Sequence, residues 1–174
     1  MNILGRLTGR SQAKEAGRRL YAAAVAEART PALYADLGAP DTPDGRFEVY
    51  TLHVLLVLER LRGKGAAAGA VSQAVFDAYL GGLDHGLREL AVGDLSVGKA
   101  MRKLGEAFYG RGKAWDEAMA ALPDRGPLQA FLSRTVFGGA EGADPAGMAE
   151  YLLSARARLA QAPLDRLLEG DSGT

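Results

Sequence analysis

The segment from Gly93 to Ala100 matches a phosphate-binding loop at seven of its eight positions. It reads GDLSVGKA, whereas the pattern GxxxxGK[ST] needs a hydroxyl residue for Mg²⁺ where this chain has Ala100. The pattern must also follow a β-strand, so that loop amides and a helix N-terminus converge on phosphates. The residues before Gly93 instead predict a helix. We therefore interpret the segment as a corner between two helices, where Asp94 or Ser96 caps the second helix and Lys99 lies within it.

Two histidines and two aspartates are the next residues that could bind a metal ion or take part in catalysis. His53 lies on a different predicted helix from Asp77, Asp84 and His85, and the chain has no HxxxH or ExxH spacing. Asp77 and Asp84 are seven residues apart, about two helical turns, so they face the same way. We interpret His53 as partly buried and hydrogen-bonded, and the aspartates as a solvated face on which Asp84 pairs with Arg88. A helical Mg²⁺ enzyme using Asp77 and Asp84 remains the alternative.

The composition favours an all-α fold and excludes several kinds of site. Only 16 of the 174 residues are Val, Ile or Thr, which favour strands, whereas 32 are Ala, the best helix former. With no cysteine, the chain has no disulfide, thiolate metal site or cysteine nucleophile. No serine has the GxSxG context of a nucleophile. We predict one compact domain of about six to eight helices with no catalytic residue, cofactor or metal.

The charges are balanced overall but unevenly distributed. The formal net charge is zero, which argues against DNA binding, yet residues 1–30 carry +4 and residues 31–174 carry −4. We predict a flexible basic arm over residues 1–10 and a helical domain over residues 11–170. Basic residues beside Ile3, Leu4 and Leu7 suggest peripheral contact of residues 1–30 with an anionic membrane, so a membrane-surface adaptor is a further alternative.

Apolar periodicity and capping residues predict the helix boundaries. A first helix is expected from Ser11 to residue 28, and a central one from the Thr42-Pro43 cap to Leu61. The next should span about residues 70–90. A fourth is expected to begin near residue 94, to be interrupted at Gly110 and Gly112, and to resume to residue 122. Two later helices should begin at Pro127 and at Asp144-Pro145.

A short aromatic and basic segment, Phe108-Tyr109-Gly110-Arg111, allows two interpretations. The aromatic rings pack in the core at a helix end, or the segment forms an exposed aromatic and arginine anchor at a protein interface. The sequence alone leaves both open.

An ordered series of short motifs resembles the ubiquinol–cytochrome c chaperone family over about residues 33–122. The motifs are Leu33-Tyr34, Leu37-Gly38, Pro40-Asp41-Thr42, Asp44-Gly45-Arg46-Phe47-Glu48, Leu52-His53, Asp77, Leu83-Asp84, Leu87-Arg88-Glu89, Val92-Gly93-Asp94, Ser96-Val97-Gly98-Lys99 and Phe108-Tyr109-Gly110-Arg111. The order of the motifs is more specific than any one of them. Ala91 departs from the pattern, where a bulkier residue is expected, and residues 123–174 match only as generic helix.

The resemblance implies an assembly chaperone for the cytochrome bc1 complex, not an enzyme. Its implied partners are newly made cytochrome b or bc1 assembly intermediates, with a small helper protein. Its implied place is the cytoplasm, at the inner face of the membrane, or the matrix side in a eukaryote. The resemblance selects nine residues for partner binding: His53, Asp77, Asp84, Arg88, Asp94, Lys99, Phe108, Tyr109 and Arg111. We expect the polar face of the 70–90 helix and the corner from Gly93 to Lys99 to border an apolar groove rimmed by charge.

Overall fold

Eight helices make up the fold in the part of the chain that the computed structural model describes, residues 3–89, 94–140 and 143–173. They are α1 (Ile3–Ala28), α2 (Pro31–Ala35), α3 (Pro43–Leu61), α4 (Ala66–Glu89), α5 (Asp94–Ala120), α6 (Gly126–Thr135), α7 (Pro145–Gln161) and α8 (Leu164–Leu168). No strand occurs within those ranges. The all-α prediction is confirmed.

Helix α3 is the centre of the core and packs against α1, α4, α5 and α7. Its start is the predicted one, because the Thr42 hydroxyl accepts a hydrogen bond from Gly45 N at 3.1 Å and Pro43 occupies the first turn. Eleven of its nineteen residues are buried, on almost every side of the helix. This burial explains why its sequence is apolar nearly all round.

Helices α1 and α4 pack closely and run in the same direction. Gly17 lies against Ala74, and further along both helices the Tyr21 hydroxyl lies against Gly82. A Cβ on either glycine would collide with that neighbour, so the absence of a side chain lets the helices approach. This contact fixes the floor of a groove described below.

Helix α5 is continuous through Gly110 and Gly112, so the predicted interruption there is wrong. Phe108 and Trp115, on either side of the glycines, are buried in the core. Trp115 also donates a hydrogen bond from Nε1 to Glu59 Oε2 on α3 at 3.0 Å. These tertiary contacts outweigh the cost of about 1 kcal/mol for each glycine in a helix interior.

Helix α1 begins at Ile3, so the predicted start at Ser11 is wrong. The helix crosses the predicted boundary between residues 10 and 11 with no break. Its buried apolar side chains within residues 9–28, Ala16, Leu20, Ala24 and Ala28, recur every four residues. Residues 9–12 are exposed, which leaves that part of α1 available to solvent.

The last three helices close the other side of the core. Asp144 caps α7 as predicted, since its Oδ1 accepts a hydrogen bond from Gly147 N at 3.0 Å. Leu167 of α8 is fully buried, and Gly170 just beyond it rests on Ala16 of α1 with φ of +88°. The carboxyl end of the chain is therefore packed onto α1.

Candidate functional site

Two grooves flank Gln73 on the exposed side of α4. One groove, of about 720 Å³, runs between α1 and α4, and we call it the basic groove after its Arg10, Lys14 and Arg18. The other, of about 320 Å³, lies between α3, α4 and α5, and we call it the aromatic groove after Phe76, Phe108 and Tyr109. Gln73 lines both, so the two form one surface with α4 as its central ridge.

Three cations line the basic groove at four-residue intervals along α1. Arg10, Lys14 and Arg18 are all exposed, and none has an ion-pair partner among the residues that the structure describes. The floor beneath them consists of small residues such as Ala70 and Ala74. The sequence placed these cations in the basic stretch over residues 1–30, and only Arg10 in the predicted arm, but it did not place them in a groove. Their four-residue spacing was the available signal, because such residues share one face of a helix.

The basic groove contains one acidic residue in the described chain, Asp77. Its Oδ1 accepts a hydrogen bond from Gln73 Nε2 at 2.8 Å, one turn earlier on α4. Asp77 was predicted as a partner-binding residue, and the structure places it at the rim of the groove. Even with this negative charge, the described lining of the basic groove has more cationic than acidic side chains.

A chain of aromatic rings leads from the core to the aromatic groove. Tyr79, fully buried, lies 5.2 Å from Phe108 between ring centroids, and Phe108 lies 5.0 Å from Phe76. Phe76 in turn lies 6.0 Å from Tyr109. Phe108 is 5% exposed, whereas Tyr109 is 68% exposed, and among residues 9–89, 96–140 and 143–173 it is the one exposed large hydrophobic side chain. The core-packing interpretation therefore holds for Phe108, whereas the ring of Tyr109 is exposed, as the other interpretation expected.

The inner end of the ring chain is held by polar contacts. The Tyr79 hydroxyl lies 2.8 Å from Thr51 Oγ1, and the Thr51 hydroxyl also lies 2.8 Å from the carbonyl oxygen of Phe47. Burial raises the pKa of Tyr79 well above its ordinary value, so this phenol stays neutral. The floor of the aromatic groove is thus fixed, and Tyr109 stands on a rigid base.

Arg111 does not form an exposed anchor beside Tyr109. Its guanidinium donates hydrogen bonds to both carboxylate oxygens of Glu48 on α3, from Nη2 at 2.5 Å and from Nε at 3.1 Å. Hydrogen bonding to Glu48 raises the pKa of Arg111 further above its ordinary value. Arg111 therefore joins α5 to α3 beneath the groove.

His53 is buried, 4% exposed, and lies in the core instead of on the surface. Its Nδ1 donates to the carbonyl oxygen of Val49 at 2.8 Å, because that oxygen can only accept. Its Nε2 lies 3.0 Å from the Tyr151 hydroxyl, which also lies 3.3 Å from Glu27 Oε2. Burial lowers the pKa of His53 and raises the pKa of Tyr151 to about 12. The interpretation of His53 as a hydrogen-bonded core histidine is confirmed.

Three of the remaining predicted residues, Asp84, Arg88 and Lys99, line neither groove. Asp84 accepts hydrogen bonds from Arg88 at 2.8 and 3.4 Å, and this bonding lowers the pKa of Asp84. Lys99 is exposed near the start of α5. Residues 90–93 and the side chain of Asp94 lie outside the described residues, so the predicted corner is described only from Ser96 onward.

Neither a metal site nor a membrane span is found where the structure describes the chain. Within residues 3–89, 94–140 and 143–173, no group of three or more histidines and carboxylates lies close enough to hold a metal ion. No helix in the same ranges is both long enough and apolar enough to cross a membrane.

The fold is all-α, and the two grooves on either side of α4 are its candidate binding surface. A family model, ubiquinol–cytochrome C chaperone, matches residues 35–173. The structure is also similar to the crystal structure of the Cbp3 homolog from Brucella abortus, with a TM-score of 0.84 and 37% identity over 98% of this chain and 94% of that one. A comparison with curated proteins finds no match. The chain belongs to the ubiquinol–cytochrome c chaperone family.

The match extends the resemblance found in the sequence and also limits it. The family model continues to residue 173, so residues 123–174, which resembled only generic helix, are largely part of the family region. It begins at residue 35, so α1 and its three groove cations lie before it. The aromatic groove lies wholly within the matched region.

Proposed function

We propose that the protein is an assembly chaperone of the cytochrome bc1 complex and binds newly made cytochrome b through the aromatic groove. Family membership and the similarity to the Cbp3 homolog support the assembly role. The observation that carries the choice of surface is the 68% exposure of Tyr109 over a fixed aromatic floor. Binding, not catalysis, is the activity proposed.

Tyr109 has the properties of an interface anchor. Tyrosine is enriched among the few residues that dominate binding energy, since it offers a large rigid apolar area and a polar tip. Here the ring is exposed while its neighbours Phe76 and Phe108 are held in place by the core. The free protein thus presents the ring without a large conformational cost on binding.

The groove is small, so it fits a segment of cytochrome b and not a whole transmembrane helix. Its volume of about 320 Å³ accommodates a few side chains, and no other large hydrophobic residue is exposed among residues 9–89, 96–140 and 143–173. Enclosing a membrane helix would need a much wider apolar surface. We infer that a short apolar stretch of the partner packs against Tyr109, with the polar rim around it excluding water.

The test is affinity capture of cytochrome b from detergent-solubilised native membranes with variants of Tyr109. Tyr109→Ser is expected to reduce recovery about tenfold or more, since anchor residues contribute about 2 kcal/mol or more. Tyr109→Phe should retain binding, because the ring remains. Lys113→Ser, one turn further on the same helix and 82% exposed, is the matched control. Equal recovery by Tyr109→Ser and Lys113→Ser would remove the aromatic groove from the proposal.

The proposal also includes two charged side chains that border the bound segment. They are Asp84, near the end of α4, and Lys99, near the start of α5. The paired reversal Asp84→Lys and Lys99→Glu leaves the net charge unchanged, so it isolates their positions. We expect weaker capture of cytochrome b by a variant that melts like the parent chain. Unchanged capture would confine the cytochrome b site to the aromatic groove.

A further inference from the structure

We propose that the basic groove binds the headgroups of an anionic phospholipid membrane surface. The groove residues concerned are Arg10, Lys14 and Arg18, on the part of the chain that precedes the family-model match. This inference is independent of cytochrome b binding, because it involves a different groove and a different ligand.

The three cations form a linear array on one face of α1. Residues spaced by four along a helix are about 6 Å apart along its axis, so the array spans about 12 Å. Other arginines nearby are engaged: Arg19 donates to Glu15 at 3.2 Å, and Arg29 donates to Tyr50 at 3.1 Å. No such contact engages the array within the described ranges. Its charges are therefore available to an external anion.

The floor of the groove suits a flat, charged ligand better than a peptide. Close packing of Gly17 on Ala74 brings α1 against α4, and the neighbouring floor positions, Ala13, Ala70 and Ala78, carry only methyl groups. Such a floor has no deep pocket that would select large side chains. The flexible cationic side chains above it can adapt to mobile headgroups.

Charge complementarity favours lipid over a segment of a membrane protein. Cytoplasmic loops of membrane proteins carry an excess of lysine and arginine, which three unpaired cations would repel. The leaflet beside those loops is anionic and attracts basic segments. Residues 31–174 carry −4, so the same surface repels the body of the protein. The opposite signs orient α1 toward the membrane.

In this orientation both grooves lie at the membrane surface. They share Gln73 on α4, so a membrane contact at the basic groove keeps the aromatic groove next to the headgroup region. Tyrosine is enriched at that depth in membrane proteins, because one end of its ring is apolar and the other polar. A newly made membrane segment would then reach Tyr109 without leaving the interface.

The experiment is sedimentation with lipid vesicles that contain no protein. Vesicles of phosphatidylcholine alone are compared with vesicles containing about one third phosphatidylglycerol. We expect binding only to the anionic vesicles, and loss of binding as salt is raised. Replacing all three cations with glutamine, in Arg10→Gln, Lys14→Gln and Arg18→Gln, should weaken binding about a hundredfold, since each cation contributes separately.

A matched triple variant on α5 shows whether vesicle binding depends on where the cations lie or only on how many are removed. Arg102→Gln, Lys103→Gln and Lys113→Gln also remove three exposed cations and should keep vesicle binding near the parent level. Three results would overturn the proposal: no binding of the parent chain to anionic vesicles, equal loss in the two triple variants, or full binding by the α1 variant. Loss of cytochrome b capture by the α1 variant in detergent, with vesicle binding retained, would instead assign the groove to a protein partner.

Discussion

Arg111 on α5 donates two hydrogen bonds to the carboxylate of Glu48 on α3. The Glu48 side chain is 9% exposed and that of Arg111 is 31% exposed, so the pair is largely shielded from water. It lies one turn from Phe108, whose ring forms part of the floor beneath Tyr109. This ion pair makes Arg111 a link between α5 and α3 close to the buried ring of Phe108, whereas one of the two interpretations of the sequence expected an exposed arginine.

The replacement Arg111→Leu should destabilise the fold by about 2 kcal/mol. The replacement leaves the Glu48 carboxylate shielded from water without a positively charged partner. Breaking a fully buried pair costs about 3–5 kcal/mol, and the cost here is lower because Arg111 is partly exposed. Unfolding in urea measures the change. Arg102→Leu, at an exposed position of the same helix, should change stability by less than about 0.5 kcal/mol. Similar losses in the two variants would show that the ion pair contributes nothing specific.

The buried neutral His53 should make the fold less stable in mild acid. Its pKa is lowered by burial, so the unfolded chain takes up a proton below about pH 6.5 that the native chain does not. The free energy of unfolding must therefore fall as the pH drops below 6.5, until the native histidine also protonates. His53→Gln cannot titrate and should flatten this part of the profile. An unchanged slope between pH 6.5 and 5 in that variant would exclude His53 as the cause.

Glycine-to-alanine replacements should have opposite effects in α5 and α1. A Cβ at Gly110 meets nothing within 4 Å, so Gly110→Ala should stabilise the helix by about 0.5–1 kcal/mol and raise Tm by about 2–4 °C. A Cβ at Gly17 would collide with the backbone and side chain of Ala74, so Gly17→Ala should lower Tm. Thermal unfolding tests both. A rise in Tm for Gly17→Ala would contradict the close packing of α1 on α4.

Magnesium should not stabilise the protein. Asp77 accepts a hydrogen bond from Gln73, and Asp84 accepts two from Arg88, so each carboxylate already has a neighbour on α4. Millimolar Mg²⁺ should therefore leave Tm unchanged, and Asp84→Asn should give the same result. A rise in Tm with Mg²⁺ that disappears in Asp84→Asn would instead support the helical enzyme that the sequence left open.

Helix starts marked by local chemistry were predictable, whereas features decided by distant contacts were not. Thr42 and Asp144 each cap a helix within three residues, so the sequence contains the whole interaction. The continuity of α5 across Gly110 depends on the burial of Phe108 and Trp115 against other helices. Propensity alone favours a break there, and tertiary packing overrides it.

The candidate site was only partly predictable for the same reason, because distant contacts decide most of its geometry. Tyr109 and Phe108 are adjacent in sequence, and only the packing of α5 decides that one ring is exposed and the other buried. Arg111 pairs with Glu48, 63 residues earlier, which no local pattern reveals. The floor of the basic groove depends on the approach of α1 to α4, so its cations were visible in the sequence but its floor was not.

The most direct test of binding through Tyr109 is to map the site at which cytochrome b contacts the protein. A photo-reactive amino acid placed at position 109 should crosslink to cytochrome b in native cells, since that position is the exposed edge of the aromatic groove. The same group at position 113, exposed one turn away and outside the groove, should crosslink weakly. Strong crosslinks to cytochrome b at 109 and not at 113 are the predicted result. Crosslinks of equal strength at both positions, or none to cytochrome b at 109, would contradict binding through Tyr109.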